Sequence, residues 1–325
     1  MAPPETARLD LANARVLVTG ARGFLGAHVV TALSEAGAAP LPVGRDDADL
    51  RDPAAVRALF DRLRPDMVVH AAVTGGGIGW MRAHPADAFT DNVRMTTEVL
   101  DAAWRHGVRR FCGVSSACAY AVDAVQPMRE EALYAGLPEP TNGPYGHAKR
   151  AMMVQGAAYA EQHGFDCVFA VPTNLYGPGE STDLGRAHVV GALLRRFEEA
   201  RVAGAGEVVC WGSGRATRDL LHVRDAAAGI LALLAHGGGP APVNLGSGDE
   251  RTIAAIASAV ADAVGFRGRI AWDPARPDGM PRKVLDISRA RALLGWAPRV
   301  PLAEGLSEMI AWFRGSSSSP GASNG

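Results

Sequence analysis

A short apolar run that ends in glycine and opens directly into an amphipathic helix constrains this chain more than any other feature. "ARVLVTG" (14–20) is that run, and Leu25, Val29, Val30 and Leu33 then fall on one helical face. Gly20, Gly23 and Gly26 lie at the junction in "GARGFLG", with Arg22, Phe24 and Leu25 between them. Glycines at this spacing let the backbone turn tightly and approach a pyrophosphate, whose charge rests on the helix N-terminus. The cycle repeats. "DLRDPAAVRALFDRL" offers Asp52 as an N-cap with Pro53 at the first helical position, and "DMVVHAAV" from Asp66 and "RRFCGVSSA" from Arg109 read as buried strands. Strands alternating with helices predict an α/β fold, a Rossmann-type doubly wound parallel sheet with its ligands at the carboxyl ends of the strands.

The pattern becomes irregular after Pro172 and turns strand-like again at "LLHV" and "PVNLGS". This predicts a dinucleotide-binding unit over 9–172 plus 218–247 and a smaller C-terminal substrate-binding α/β lobe over 173–217 plus 248–315. The Ser- and Gly-rich stretch 316–325 reads as a disordered tail.

Charge and cysteine usage narrow the class of partner. Lys plus Arg, 33 residues, almost balance Asp plus Glu, 34, so no global field would draw nucleic acid or an anionic membrane surface. No run of about 18 apolar residues predicts a membrane span. The nine histidines show no metal-ligand spacing. Cys112, Cys118, Cys167 and Cys210 form no C-x-x-C pair, and the first ten residues do not read as a secretory signal. Reduced thiols in a cytoplasm are expected.

At the end of the second strand, "LPVGRDD", an acidic side chain would hold the ribose of NAD. Arg45 stands there instead, and Arg22 sits inside the glycine loop, so a 2′-phosphate and hence NADP(H) is favoured. Further on, "PYGHAKRA" places Tyr145 and Lys149 four apart on one helical face. A nearby ammonium and a positive nicotinamide would favour the phenolate, which suits proton exchange with a carbonyl while hydride moves. "SSACAYAV" (115–122) closes a strand with Ser115, Ser116 and Cys118; by itself such a cysteine reads as a small core residue.

These motifs resemble the extended short-chain dehydrogenase/reductases, and within them the GDP-L-fucose synthases. The closer resemblance is carried by "SSACAY", "PTNLYGPG", "HVVGALLRRFEEA", "VVCWGSGRATRDLLHVRD", "VNLGSGDERTI" and "WDPARPDGMPRKVLDISRARALLGW". It implies C3 and C5 epimerisation of a GDP-4-keto-6-deoxy-mannose, followed by NADPH reduction at C4. It also implies that Ser116 helps hold the keto oxygen, that Cys118 is an epimerisation base and that His188 is its acid partner. A chemical argument agrees with this. The keto group acidifies the hydrogens on both flanking carbons, and inversion removes a proton from one face and returns it to the other.

The resemblance further places Asp49, Leu50, Ala71, Ala72, Asn92, Val114, Ser115, Lys149, Pro172, Asn174, Leu175 and His188 about the cofactor. Asn174, Arg196, Trp211, Arg218, Arg269 and Asp278 would hold the GDP-sugar, with Lys283 a further candidate. His222 in "LLHVRD" reads as structural. Helices over about 86–106 and 145–163 resemble those that pair in the family's homodimer. The chain departs from the family at "PGESTDLGRA" (178–187), at Ala121 after Tyr120, at Trp80, Met81 and Arg82, and at "HVRD" for "HVDD". These segments border the expected sugar pocket, so a heptose, a further-deoxygenated hexose or an antibiotic-sugar precursor stays open, as does the base. Two other classes also stand: an enzyme with only the epimerase or only the 4-ketoreductase activity, and a non-catalytic NADP-binding module. Ser116, Tyr145 and Lys149 together argue against the last.

Overall fold

A computed structural model describes residues 8–276 and 278–317. β1 (Arg15–Thr19), α1 (Phe24–Glu35), β2 (Ala39–Val43), α2 (Pro53–Leu63), β3 (Met67–His70), α3 (Ile78–Ala83), α4 (Pro85–Arg105), β4 (Arg110–Val114), α5 (Gly143–His163) and β5 (Cys167–Pro172) form the first stretch. β6 (Asn174–Tyr176), α6 (Val189–Val202), β7 (Glu207–Trp211) and β8 (Thr217–His222) come next, before α7 (Val223–His236) and β9 (Pro242–Leu245). The chain closes with β10 (Glu250–Thr252), α8 (Ile253–Val264), β11 (Arg269–Asp273), β12 (Arg282–Lys283), α9 (Ser288–Leu294) and α10 (Leu302–Ser317).

The main sheet has six strands in the order β2-β1-β3-β4-β5-β9, every neighbouring pair parallel. Side-chain alternation explains why both faces are covered. Leu17 of β1 points into a core with Phe60 of α2, Val99 of α4 and Met152 of α5, whereas Val16 and Val18 face Val29 of α1 and Ile230 of α7. The order reverses between β2-β1 and β1-β3, which opens a crevice beyond the carboxyl ends of β1 and β3. Local signals set the helix ends: Asp52 accepts from the Ala54 N–H at 2.8 Å with Pro53 behind it.

A second layer sits over that edge. β8 pairs with β6, β10 and β12, β7 pairs with β11, and α6, α8 and α10 enclose a core of Phe197, Val260 and Met309 among others. β8 was expected to open the second dinucleotide-unit stretch, but its pairing is with the smaller sheet. Its strand partners are β6, β10 and β12, and the chain rejoins the large sheet at β9. At the far end α10 runs through Ser317, two residues into the expected tail; the rest of that stretch lies outside the described residues. Among the described residues, no helix is long and apolar enough to cross a membrane.

Candidate active site

The glycine loop is shaped by contacts that leave no room for side chains. Gly20 has φ +69°, and a Cβ there would come within 2.8 Å of the Ala72 backbone at the end of β3. A Cβ on Gly26 would overlap the Gly20 carbonyl oxygen. Gly23 caps α1 with no side-chain hydrogen bond. This open helix start beside a backbone cradle fits the pyrophosphate of a dinucleotide.

Arg22 lies across Gly44 at the end of β2 and ion-pairs with Asp46 at 2.9 Å and Asp47 at 3.0 Å; Arg45 is exposed beside it. Two arginines thus stand close in the chain to the end of β2, one in the glycine loop and one just after the strand. Asp49 ion-pairs with Arg51 at 2.9 Å, and that neighbour holds its carboxyl down at about 2, while Leu50 is buried. Ala71 and Ala72 close the crevice opposite Gly20. The Asn92 amide donates to the carbonyls of Thr74 and Ala88 and accepts from the Thr74 N–H, so it shapes the loop after β3.

Strand β4 leads into Ser115, Ser116 and Cys118. Ser115 donates its N–H to Ala170 at 2.7 Å, and its hydroxyl is buried with no partner. Ser116 begins a 3-10 turn, Ala117–Ala119, with its hydroxyl accepting from the Cys118 N–H at 3.1 Å. The Ser116 hydroxyl lies close enough to Tyr145 to lower the phenol's pKa. Lys149, one turn on, donates to the Val114 carbonyl at 2.9 Å and lies 5.7 Å from the centre of the Tyr145 ring. Gly146 makes this approach possible, because a Cβ there would sit 2.5 Å from the Cys118 carbonyl oxygen.

The sequence argument favoured a phenolate at Tyr145, and the structure reverses that emphasis. Burial pushes the Tyr145 hydroxyl well above its ordinary value, Cys118 adds to the rise, and the Ser116 hydroxyl opposes it. Burial also brings Lys149 down to about 8. Tyr145 is thus a phenol with a proton to give.

The smaller lobe supplies the facing wall. His188 caps α6, and its imidazole is pushed down by burial first and by Lys283 second. Beneath it Glu180 accepts from the Gly191 N–H at 3.3 Å, with burial raising its carboxyl to about 8. The Lys283 ammonium donates to the Cys118 sulfur at 3.2 Å, and the Asn142 amide donates to the same sulfur at 3.3 Å. Lys283 pairs in register with Arg218 on β8, and Arg218 donates to the Met280 carbonyl at 2.7 Å. Asp278 accepts from both the N–H and hydroxyl of Ser213 at 2.7 Å. Trp211, 57% exposed, has two guanidiniums near its ring, Arg196 at 5.1 Å and Arg276 at 5.2 Å from its centre.

Arg269 does not join Trp211. It opens β11 opposite Glu207, with which it ion-pairs, whereas Trp211 stands opposite Asp273 at the other end of the strand pair. Four residues of strand separate the two levels by roughly 13 Å. Asn174 donates to the Asp219 carbonyl at 3.2 Å and Leu175 pairs with Leu221 of β8, whereas Pro172 ends β5 opposite Leu245 of β9. His222 caps α7 through the Arg224 N–H, the structural role expected of it. Trp80 stacks on His84 at 4.7 Å, on a helix packed against the turn at Pro140–Asn142. Sequence reading missed Asn142, Gly146, Glu180 and Arg276. Only Gly146, next to Tyr145 in "PYGHAK", carried a local signal.

A doubly wound sheet, a glycine cradle and a Tyr-x-x-x-Lys pair beneath a second lobe define a dinucleotide-dependent enzyme of the extended short-chain dehydrogenase/reductase type. The profile of the NAD dependent epimerase/dehydratase family matches residues 16–246, and the chain belongs to that family. Among curated proteins it is 41% identical over 310 residues to GDP-L-fucose synthase 1 of Arabidopsis thaliana, covering 95% of this chain and 96% of the relative. It is 38% identical over 319 residues to GDP-L-fucose synthase of Escherichia coli K12, covering 93% and 97%. A solved structure of a GDP-L-fucose synthetase from Naegleria fowleri bound to NADP superposes with a TM-score of 0.87 at 27% identity, covering 98% of both chains.

Proposed function

We propose that the protein is an NADP(H)-dependent nucleotide-sugar epimerase-reductase. It inverts C3 and C5 of a GDP-4-keto-6-deoxy-mannose-like substrate and then reduces C4 to a GDP-L-fucose-like product. The observation that carries this reading is that Lys283 donates to the Cys118 sulfur while its charge also pushes the buried His188 imidazole down, so a thiol and an imidazole from distant stretches of chain lie near one ammonium. Reduction alone needs neither group. Epimerisation needs both, one to take a proton from one side of the ring and one to return it on the other.

Ser116 and Tyr145 hold the keto oxygen, and Tyr145 gives it a proton. Bound NADPH supplies the hydride that C4 receives. Gly20, Gly23 and Gly26 receive the cofactor's pyrophosphate, and Arg22 and Arg45 its 2′-phosphate. Arg218 is assigned to the sugar diphosphate, Asp278 to a hydroxyl of the GDP-sugar, and the exposed Trp211 beside Arg196 and Arg276 to the base as a stacking surface. The close relatives named as GDP-L-fucose synthases support guanine as that base. The packed pair α4 and α5 is assigned to a homodimer contact, and four free cysteines suit a reducing cytoplasm.

The test is incubation with GDP-4-keto-6-deoxy-mannose and NADPH in heavy water, followed by product NMR. One NADPH consumed per product and deuterium at C3 and C5 are expected. NADPH loss with no ring deuterium would leave only a ketoreductase, and ring deuterium without net NADPH loss only an epimerase. The cradle has its own test. Gly26→Val forces a side chain into the Gly20 carbonyl, an overlap costing about 1–3 kcal/mol. NADPH affinity should fall about tenfold to hundredfold, read by fluorescence titration on a variant whose circular dichroism is unchanged.

A further inference from the structure

The Cys118 sulfur sits at the meeting point of two N–H donors that come from far apart in the chain. Asn142 ends a 3-10 turn, Pro140–Asn142, at the position that caps α5, yet its side chain makes no capping hydrogen bond. Asparagine at such a position ordinarily binds the helix backbone. Here its amide is turned to the sulfur, at 3.3 Å. Lys283 is only 8% exposed, and its ammonium donates to the same sulfur at 3.2 Å. An ammonium held out of water beside a neutral thiol is costly, whereas a sulfur anion offsets its charge. Arg218, in register with Lys283 on β8, acts on the sulfur electrostatically too. Tyr145 on α5 is acted on by Cys118 and His188 at the start of α6 by Lys283, and burial favours the neutral form of each.

We infer that Asn142 and Lys283 are a donor pair that holds Cys118 as a thiolate, so that the resting enzyme already carries its base for proton removal. A thiol proton would have to share the sulfur with two incoming N–H groups; a thiolate accepts both. Neither residue touches the reacting carbon in this role, so both are positioning residues. The use of that thiolate in epimerisation rests on the function proposed above, but its presence does not.

The test therefore begins without substrate. Full-length protein is treated with iodoacetamide at neutral pH, and alkylation of the Cys118 peptide is followed by mass spectrometry, with buried Cys112 as the check on folding. Lys283→Met, of similar length, should slow alkylation about tenfold or more, as expected for loss of a charge-assisted hydrogen bond. Lys283→Arg should restore most of the rate, and Asn142→Leu should slow it by a smaller factor. An unchanged or faster rate in Lys283→Met overturns the inference. Should that variant fail to fold, the ultraviolet absorbance of the unmutated protein minus that of Cys118→Ser decides the matter. A thiolate band at neutral pH supports the pair, and its absence overturns it. Slowed alkylation together with unchanged ring deuteration in Cys118→Ser would keep the donor pair and remove the base assignment.

Discussion

Tyr145→Phe should lower NADPH-dependent reduction of the 4-keto sugar roughly 10²–10⁴-fold, the span expected when a positioned general acid is removed. The ring stays in place, so KM for the sugar should change far less than kcat. The case rests on protonation state. Burial keeps the Tyr145 proton on oxygen, the Ser116 hydroxyl opposes that rise, and Lys149 lies over the ring as the charge that stabilises phenolate once the proton leaves. Because burial brings Lys149 down to about 8, its positive charge is present below that pH and lost above it. Reduction by the unmutated enzyme should accordingly decline as pH rises through about 8, and Tyr145→Phe should flatten that limb. A variant with wild-type kcat would show that another group protonates the alkoxide.

Cys118→Ser should separate the two chemistries. A serine hydroxyl preserves shape but is a far poorer base, so ring deuteration from heavy water should fall by about 10² or more. Reduction of a substrate already in its final ring configuration should remain within a few-fold of wild type, because Tyr145 and Ser116 are untouched. His188→Asn should also impair inversion, yet could leave proton removal by Cys118 measurable as deuterium returned to the starting face. If Cys118→Ser deuterates the ring at the wild-type rate, the thiol is not the base.

Much of this architecture was legible because its signals are local. The glycine loop, the Asp52–Pro53 helix start and the Tyr145–Lys149 pair each lie within a few residues, where backbone geometry follows directly from residue type. Cys118 and His188 gained meaning only through resemblance to a family and the chemistry of inversion. What escaped was set by distant pairing. Lys283 meets Cys118 across 165 residues because β12 aligns with β8, a register no local pattern announces. The same kind of register sets Arg269 beside Glu207, a neighbour distant in the chain. Asn142 carried no signal in sequence, and only the fold shows its amide directed at the Cys118 sulfur and not at the helix it precedes. The balance of burial over charge at Tyr145 was equally invisible, since it depends on how much water the second lobe excludes.

The interleaving of the two sheets has a bearing on how such enzymes diversify. β6 and β8 lie on one side of β9 in the chain, and β10 and β12, which pair with β8, lie on the other. A single genetic crossover that imported a new sugar-recognising half would strand β8 beside foreign neighbours and part Lys283 from its register. Lineages built this way are expected to change substrate by point substitution in the rim segments around Trp80 and residues 178–187, not by exchange of whole modules.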